Sequence, residues 1–67
     1  MKRVKFIVLE KSYLIRKGIV SIINRIERAG VVFESDSLEF INNELNKHKP
    51  DFIVVNLDLL LNNEEIR

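Results

Sequence analysis

The chain has 67 residues, 46% hydrophobic and 31% charged, which is the composition of a globular protein. This length excludes more than one compact domain, and the absence of cysteine excludes disulfides and thiolate metal sites. No apolar run is long enough to span a membrane and no signal-peptide pattern opens the chain, so we expect a cytoplasmic protein without a membrane partner.

The charge is unevenly distributed although the net charge is only +1. Residues 1–28 carry a net charge of +6 and residues 29–67 a net charge of −5. A basic half is one feature of nucleic-acid-binding proteins. Here the basic residues alternate with a core pattern and have no aromatic partners, so we interpret them as a solvated helix face.

The first two predicted elements are a strand and a helix. Residues 4–9 are almost continuously apolar and β-branched, which is typical of a strand covered on both faces. A helix follows from Tyr13, with Ser12 as its N-cap and Ala29 and Gly30 as its stop. Its predicted apolar face contains Leu14, Ile15, Gly18, Ile19, Ile22, Ile23 and Ile26. We expect the glycine within this face to allow close approach of the helix to the sheet.

The next elements follow the same alternation. Residues 30–34 predict a short strand, and residues 35–37 offer capping side chains for a helix over about residues 37–47. That helix ends before the proline, and residues 51–57 predict the third strand. Residues 62–65 are typical of the entry to a third helix.

This order predicts an α/β fold with right-handed crossovers and a parallel sheet covered by helices on both faces. We expect a partial flavodoxin-like sheet with three strands in the order 2-1-3. Its third strand would have an open edge, and Leu59, Leu60 and Leu61 would be partly exposed. We therefore expect either that the natural chain continues or that the unit oligomerises, and we favour continuation.

Polar residues end two strands that this order makes neighbours. Ligands of open parallel sheets bind beyond the carboxyl ends of the strands. Strand one is followed by Glu10 and Lys11, and strand three runs into Asn56 and then Asp58. We expect these four residues to line one pocket. His48 has no second histidine or acid at metal-ligand spacing, so we expect it to be an exposed residue at the end of a helix.

Three segments in order resemble the first half of bacterial response-regulator receiver domains. "FIVLEKSYLIRKGIVSII" resembles the first strand and helix, "VVFESDSLEFI" the second strand and the start of the next helix, and "KPDFIVVN" the phosphoacceptor strand. The resemblance covers residues 1–67 as the N-terminal portion of a single receiver-like domain, as far as the start of its third helix. The Arg16-Lys17-Gly18 segment is most similar to receivers fused to helix-turn-helix DNA-binding output domains.

The resemblance implies a degenerate site. The family's acceptor is an aspartate six residues after the proline, and in this chain Asn56 stands there. The family's pair of acids, which helps to hold Mg²⁺, corresponds here to Glu10 and Lys11. We therefore expect no catalytic residue and no cofactor, and we doubt Mg²⁺ binding. Lys11 could pair with Glu10 or Asn56 and imitate a neutralised site, and Asp58 is expected to be a solvated loop acid or a capping group.

The favoured function is therefore a non-enzymatic regulatory module of a response regulator or transcriptional regulator that is not phosphorylated in the usual way. It would act through a protein partner, through a homodimer or by controlling an attached DNA-binding domain that is absent from this chain. Two alternatives stay open. One is a flavodoxin-like cofactor-binding fragment, for which the first loop offers only Ser12 and a helix N-terminus. The other is a small self-associating domain.

Overall fold

Three parallel strands form the centre of the molecule in a computed structural model, which describes residues 2–61. The strand order is β2-β1-β3, so the first strand lies in the middle. This confirms the predicted α/β class, the parallel sheet and its order. The strands are β1 (Val4–Leu9), β2 (Ala29–Ser35) and β3 (Phe52–Val55).

Helices lie on both faces of the sheet. The helices are α1 (Tyr13–Asn24), α2 (Ile41–His48) and α3 (Leu57–Leu61). Helix α1 packs on the face that carries Val8, where Ile23 and Ala29 complete the buried cluster. The His48 ring at the end of α2 stacks on Phe33, whose strand partner Ile7 points to the opposite face from Val8. Among residues 2–61, no helix is long and apolar enough to cross a membrane.

The centre of β1 provides most of the buried core. Ile7 and Val8 are 0% exposed and Leu9 is 2% exposed. Successive side chains of a strand point to opposite faces, so a run of three buried residues requires cover on both faces. The continuous apolar pattern of β1 follows from this central position between two parallel neighbours.

Helix α1 begins as predicted but ends earlier. The Ser12 hydroxyl accepts a hydrogen bond from the Ile15 N–H, which satisfies one of the free amides of the first turn. The helix ends at Asn24. The Arg25 N–H donates to the carbonyl of Ile22, three residues back, which is the tighter bonding of a last helical turn. The chain then turns through Arg28, whose φ of 66° is left-handed, and enters β2. The prediction that the helix stops only at Ala29 and Gly30 was therefore wrong.

The apolar face assigned to α1 was also partly wrong. Ile19, Val20 and Ile23 pack against the sheet, whereas Leu14 is 80% exposed and Ile22 is 63% exposed. Gly18 is exposed, and a Cβ built on it meets no atom within 4 Å. The glycine therefore does not permit close packing on the sheet in the way that we expected.

Helix α2 starts four residues later than predicted, at Ile41. The hydroxyls of Ser35 and Ser37 accept hydrogen bonds from the amides two residues on, so they stabilise a local turn rather than a helix start. Phe40 then has a left-handed φ of 66° and precedes the first helical residue. His48 is half-buried rather than exposed, because it stacks on Phe33.

The third strand is shorter than predicted and ends at Val55. Helix α3 begins at Leu57, within the segment that the sequence assigned to the strand. The side chain of Asn56 caps this helix, and that cap explains the early change from strand to helix. The helix entry predicted at residues 62–65 lies outside the described residues.

Candidate functional site

A pocket of about 610 Å³ opens at the carboxyl ends of β1 and β3. This is the edge of the sheet where open α/β folds place their ligands. All four residues predicted to meet here contribute to its walls, because both strands run in the same direction and end side by side. The pocket is lined by Glu10, Lys11, Ser12, Ile15, Asp36, Ser37, Asn56, Asp58 and Leu59.

Glu10 is the buried acid of the site, with 5% of its surface exposed. One carboxylate oxygen accepts a hydrogen bond of 2.8 Å from the Ser12 N–H. The other accepts a hydrogen bond of 2.7 Å from the Asn56 side-chain amide. Both oxygens therefore have protein donors, as a buried carboxylate requires.

Asn56 joins Glu10 to the start of α3. Its side-chain NH₂ donates to Glu10, while its side-chain oxygen accepts a 2.7 Å hydrogen bond from the Asp58 N–H. Its backbone N–H also donates to the Leu9 carbonyl, which extends the β1–β3 pairing. A side-chain amide can donate and accept at once, because its NH₂ is a donor and its oxygen is an acceptor. An aspartate in the same place could cap the helix but could not donate to Glu10.

These hydrogen bonds lower the pKa of Glu10 below its ordinary value of 4.5. The Ser12 backbone N–H makes the largest contribution, followed by the Asn56 amide, and both favour the charged carboxylate. Burial opposes this effect by disfavouring the charge, and the nearby Arg16 adds a smaller favourable contribution. The acid is therefore held ionised by neutral donors more than by a cation.

This pKa predicts how stability depends on pH. Because the folded pKa of Glu10 lies below the unfolded one, the stabilising effect is complete above about pH 4.5 and is lost as the pH falls through the folded value. We expect the melting temperature to decline more steeply below pH 4.5 in the native protein than in a Glu10→Gln variant. Thermal melts from pH 7 to pH 3 check this. Parallel curves for the two proteins would contradict it.

Lys11 and Asp58 lie at the pocket wall and are exposed. No hydrogen bond or ion pair of the Lys11 ammonium occurs within residues 2–61, so the hypothesis that Lys11 pairs with Glu10 or Asn56 does not match the structure. Asp58 lies in the first turn of α3, where a negative charge suits the helix dipole. Asp58 is therefore a residue of the helix and not its cap. Its backbone N–H donates to the side-chain oxygen of Asn56, which is the capping residue.

Other polar residues of the site were not singled out from the sequence. Asp36 and Ser37 reach the pocket from the turn after β2, because that turn replaces the first part of the predicted helix. Arg16 donates to the Glu10 carbonyl at 2.8 Å and to Glu34 at 3.1 Å, so it ties α1 to the ends of β1 and β2. From the sequence, Arg16 was assigned to the solvent face of the helix. The opposite charge of Glu34, at the end of the neighbouring strand, was the feature that could have identified its partner.

The donor set does not fit a tightly held Mg²⁺ ion. Mg²⁺ requires oxygen ligands in octahedral geometry and is usually bound by one or two carboxylates. Both oxygens of Glu10 already accept hydrogen bonds, and the Asn56 oxygen accepts one from α3. Within the described part of the chain, no group of three or more acidic, histidine or cysteine side chains is arranged to hold a metal.

Comparison with known proteins does not assign the chain to a family. No protein-family model matches the chain, and no curated protein or solved structure matches it significantly. The structure establishes an α/β fold with a flavodoxin-like strand order. The likeness to receiver domains therefore stays a prediction from the three sequence segments described above.

Proposed function

We propose that the chain is the N-terminal part of a receiver-like regulatory module that does not accept a phosphoryl group at Asn56. The observation that carries the proposal is the hydrogen bond between the Asn56 amide and the buried Glu10 carboxylate. Asn56 stands at the end of β3, where the receiver pattern has its acceptor aspartate. It also links that position to the acid that follows β1.

The chemistry of Asn56 supports this proposal. Phosphoryl transfer to a receiver needs a carboxylate oxygen that attacks phosphorus. An amide has no anionic oxygen, and the side-chain nitrogen of Asn56 donates a hydrogen bond to Glu10. Its oxygen is also engaged, by the Asp58 N–H. Neither atom is available as a nucleophile.

The same bond suggests how the module works without phosphorylation. Asn56 connects β1, β3 and α3 through three hydrogen bonds, so the start of α3 is fixed relative to the sheet. A switch needs two states of similar free energy, and a permanently satisfied site favours one of them. We propose that the module acts in this one state, through contact with a partner protein or with a second copy. An attached DNA-binding domain would be its output in a transcriptional regulator.

Exposure of the purified protein to acetyl phosphate and Mg²⁺ tests the proposal. Intact-mass spectrometry is expected to find no phosphoryl adduct on the native chain, because Asn56 cannot form an acyl phosphate. A receiver domain with an intact acceptor aspartate, treated in parallel, shows that the acetyl phosphate is active as a phosphoryl donor. A phosphoryl adduct that maps to residues 56–58 and is labile to alkali, as an acyl phosphate is, would overturn the proposal.

A further inference from the structure

A second pocket, of about 420 Å³, lies at the amino ends of β1 and β2. It is at the opposite end of the sheet from Glu10 and Asn56, and none of its lining residues belongs to that site. Its volume is within the range of small-molecule sites in proteins. Its cationic walls are Lys2, Arg3 and Lys5, and its apolar walls are Val4, Val31 and Val32.

The guanidinium of Arg3 is held in place beside this pocket. Its Nη2 donates a hydrogen bond of 2.9 Å to the carbonyl of Ala29. The same group lies directly on the backbone of Gly30, where an added Cβ would stand only 2.5 Å from Nη2 and 3.2 Å from Cζ. The missing side chain of Gly30 therefore makes the space that the guanidinium occupies.

Most hydrogen-bond donors of this guanidinium remain open. An arginine has five N–H donors in a planar fork, and within residues 2–61 the Arg3 side chain makes the single bond to Ala29. A guanidinium that is already oriented by the backbone loses little further freedom when it binds an anion. Arg3 is thus a preorganised donor at the mouth of the pocket.

The charges around the pocket favour an anion with more than one negative charge. Within residues 2–61, none of the side chains of Lys2, Arg3 and Lys5 forms an ion pair. The acid in contact with this segment is Asp51, whose carboxylate accepts from the Lys5 backbone N–H at 2.8 Å. Asp51 precedes β3, so it lies across β1 from the pocket, and Glu27 in the turn before β2 does not line the pocket.

A phosphoryl group matches this set of donors. It carries a charge of about −1.5 to −2 at pH 7 and presents three acceptor oxygens. The arginine fork can bind two of these oxygens at once, which a lysine ammonium cannot do. The valines of the opposite wall suit an apolar part of the same ligand. A polyanion such as nucleic acid would instead place further phosphates against these valines, where the pocket has no cation.

We propose that this pocket binds a small organic phosphate, with its phosphoryl group on Arg3, Lys2 and Lys5 and its apolar part against the valines. This goes beyond the proposed function, since it adds a ligand site that does not involve Asn56. A bound ligand would bridge the amino ends of β1 and β2 and would therefore stabilise the folded chain.

Titrations of the full protein with small anions, followed by the backbone amide signals in NMR, test the proposal. Phenyl phosphate is the probe, and benzoate presents the same ring with a single negative charge. We expect saturable shifts at Gly30 and Val31, with phenyl phosphate binding about ten-fold more tightly than benzoate. Inorganic phosphate lacks the ring and is expected to bind several-fold more weakly than phenyl phosphate.

Two variants that keep the charge separate a built site from general attraction to cations. Gly30→Ala displaces the guanidinium and is expected to lower the affinity for phenyl phosphate about ten-fold. Its fold is expected to be retained, because the atoms in the way are the end of a flexible side chain. Gly18→Ala makes the same change where a Cβ meets nothing within 4 Å, and it should leave binding unchanged. Arg3→Lys keeps the charge of an exposed residue but loses the fork, and it should also weaken binding.

Four results would overturn the proposal. The first is the absence of saturable shifts with phenyl phosphate at millimolar concentrations. The second is equal affinity for phenyl phosphate and either benzoate or inorganic phosphate. The third is unchanged affinity in both Gly30→Ala and Arg3→Lys, which would mean unspecific attraction to the surface charge. The fourth is tighter binding of a DNA duplex of about 20 base pairs than of phenyl phosphate, which would indicate a surface for polyanions instead.

Discussion

Replacement of Asn56 by aspartate is expected to destabilise the protein and to make its stability depend on Mg²⁺. The aspartate loses the donor that now lies 2.7 Å from the Glu10 oxygen and places a second carboxylate there. Like charges at this separation repel strongly in a partly buried site. We expect the melting temperature to fall by roughly 5–10 °C without metal, in the range of one hydrogen bond lost from a small domain.

Magnesium at roughly 10 mM is expected to recover most of this loss, because it binds the folded state of the variant and not the unfolded chain. Glu10, Asp58 and the new carboxylate would then supply the oxygen ligands that Mg²⁺ prefers. Thermal melts with Mg²⁺ and with EDTA measure both effects. Asn42→Asp makes the same chemical change on exposed α2 and should show neither effect. A variant as stable as the native protein in EDTA would contradict this explanation of the site.

Truncation of Ile7 to alanine is expected to have the largest effect on folding, about 2–5 kcal/mol in the free energy of unfolding. Ile7 is 0% exposed and lies in the central strand, so the change removes buried surface and leaves a cavity. The free energy of unfolding of small domains is about 5–15 kcal/mol, so the variant is expected to lose a large part of its stability. Urea denaturation followed by circular dichroism measures the change.

Ile53→Ala is the matched control for this prediction. Ile53 is the β3 partner of Ile7, carries the same side chain and is 44% exposed. Its truncation should cost less than about 1.5 kcal/mol, because part of the side chain is already in water. Equal losses at the two positions would mean that the free face of β3 is covered as fully as the centre of β1.

The sequence predicted the strand order and the meeting of Glu10, Lys11, Asn56 and Asp58, but it did not predict the residues that the turn after β2 adds to the site. Residues 6–9 of β1 are all apolar, which is typical of a strand that is covered on both faces. Proline before β3 fixes the start of that strand, and the polar residues after β1 and β3 meet because parallel strands end at the same edge. The role of Asn56 as a donor to Glu10 needed the three-dimensional geometry.

The errors came from patterns that two structures satisfy equally well. Helix α1 has isoleucine on two flanks, so periodicity alone could not show that Ile19 and Ile23 face the sheet while Ile22 faces solvent. The serines before α2 can cap a helix or a turn with the same hydroxyl geometry, and here Ser35 and Ser37 cap turns. For α1, packing of Ile19 and Ile23 on the sheet decides between the two structures.

The most direct test of the central claim is the NMR signal of the Asn56 side-chain amide during a titration with Mg²⁺. The hydrogen bond to the Glu10 carboxylate predicts one downfield amide proton whose position does not change as Mg²⁺ is added, because both oxygens of Glu10 already accept hydrogen bonds. The same proton should move when the pH falls low enough to protonate Glu10. A saturable shift with Mg²⁺ at pH 7 would show that metal displaces the amide, and would contradict the account of a site closed by Asn56.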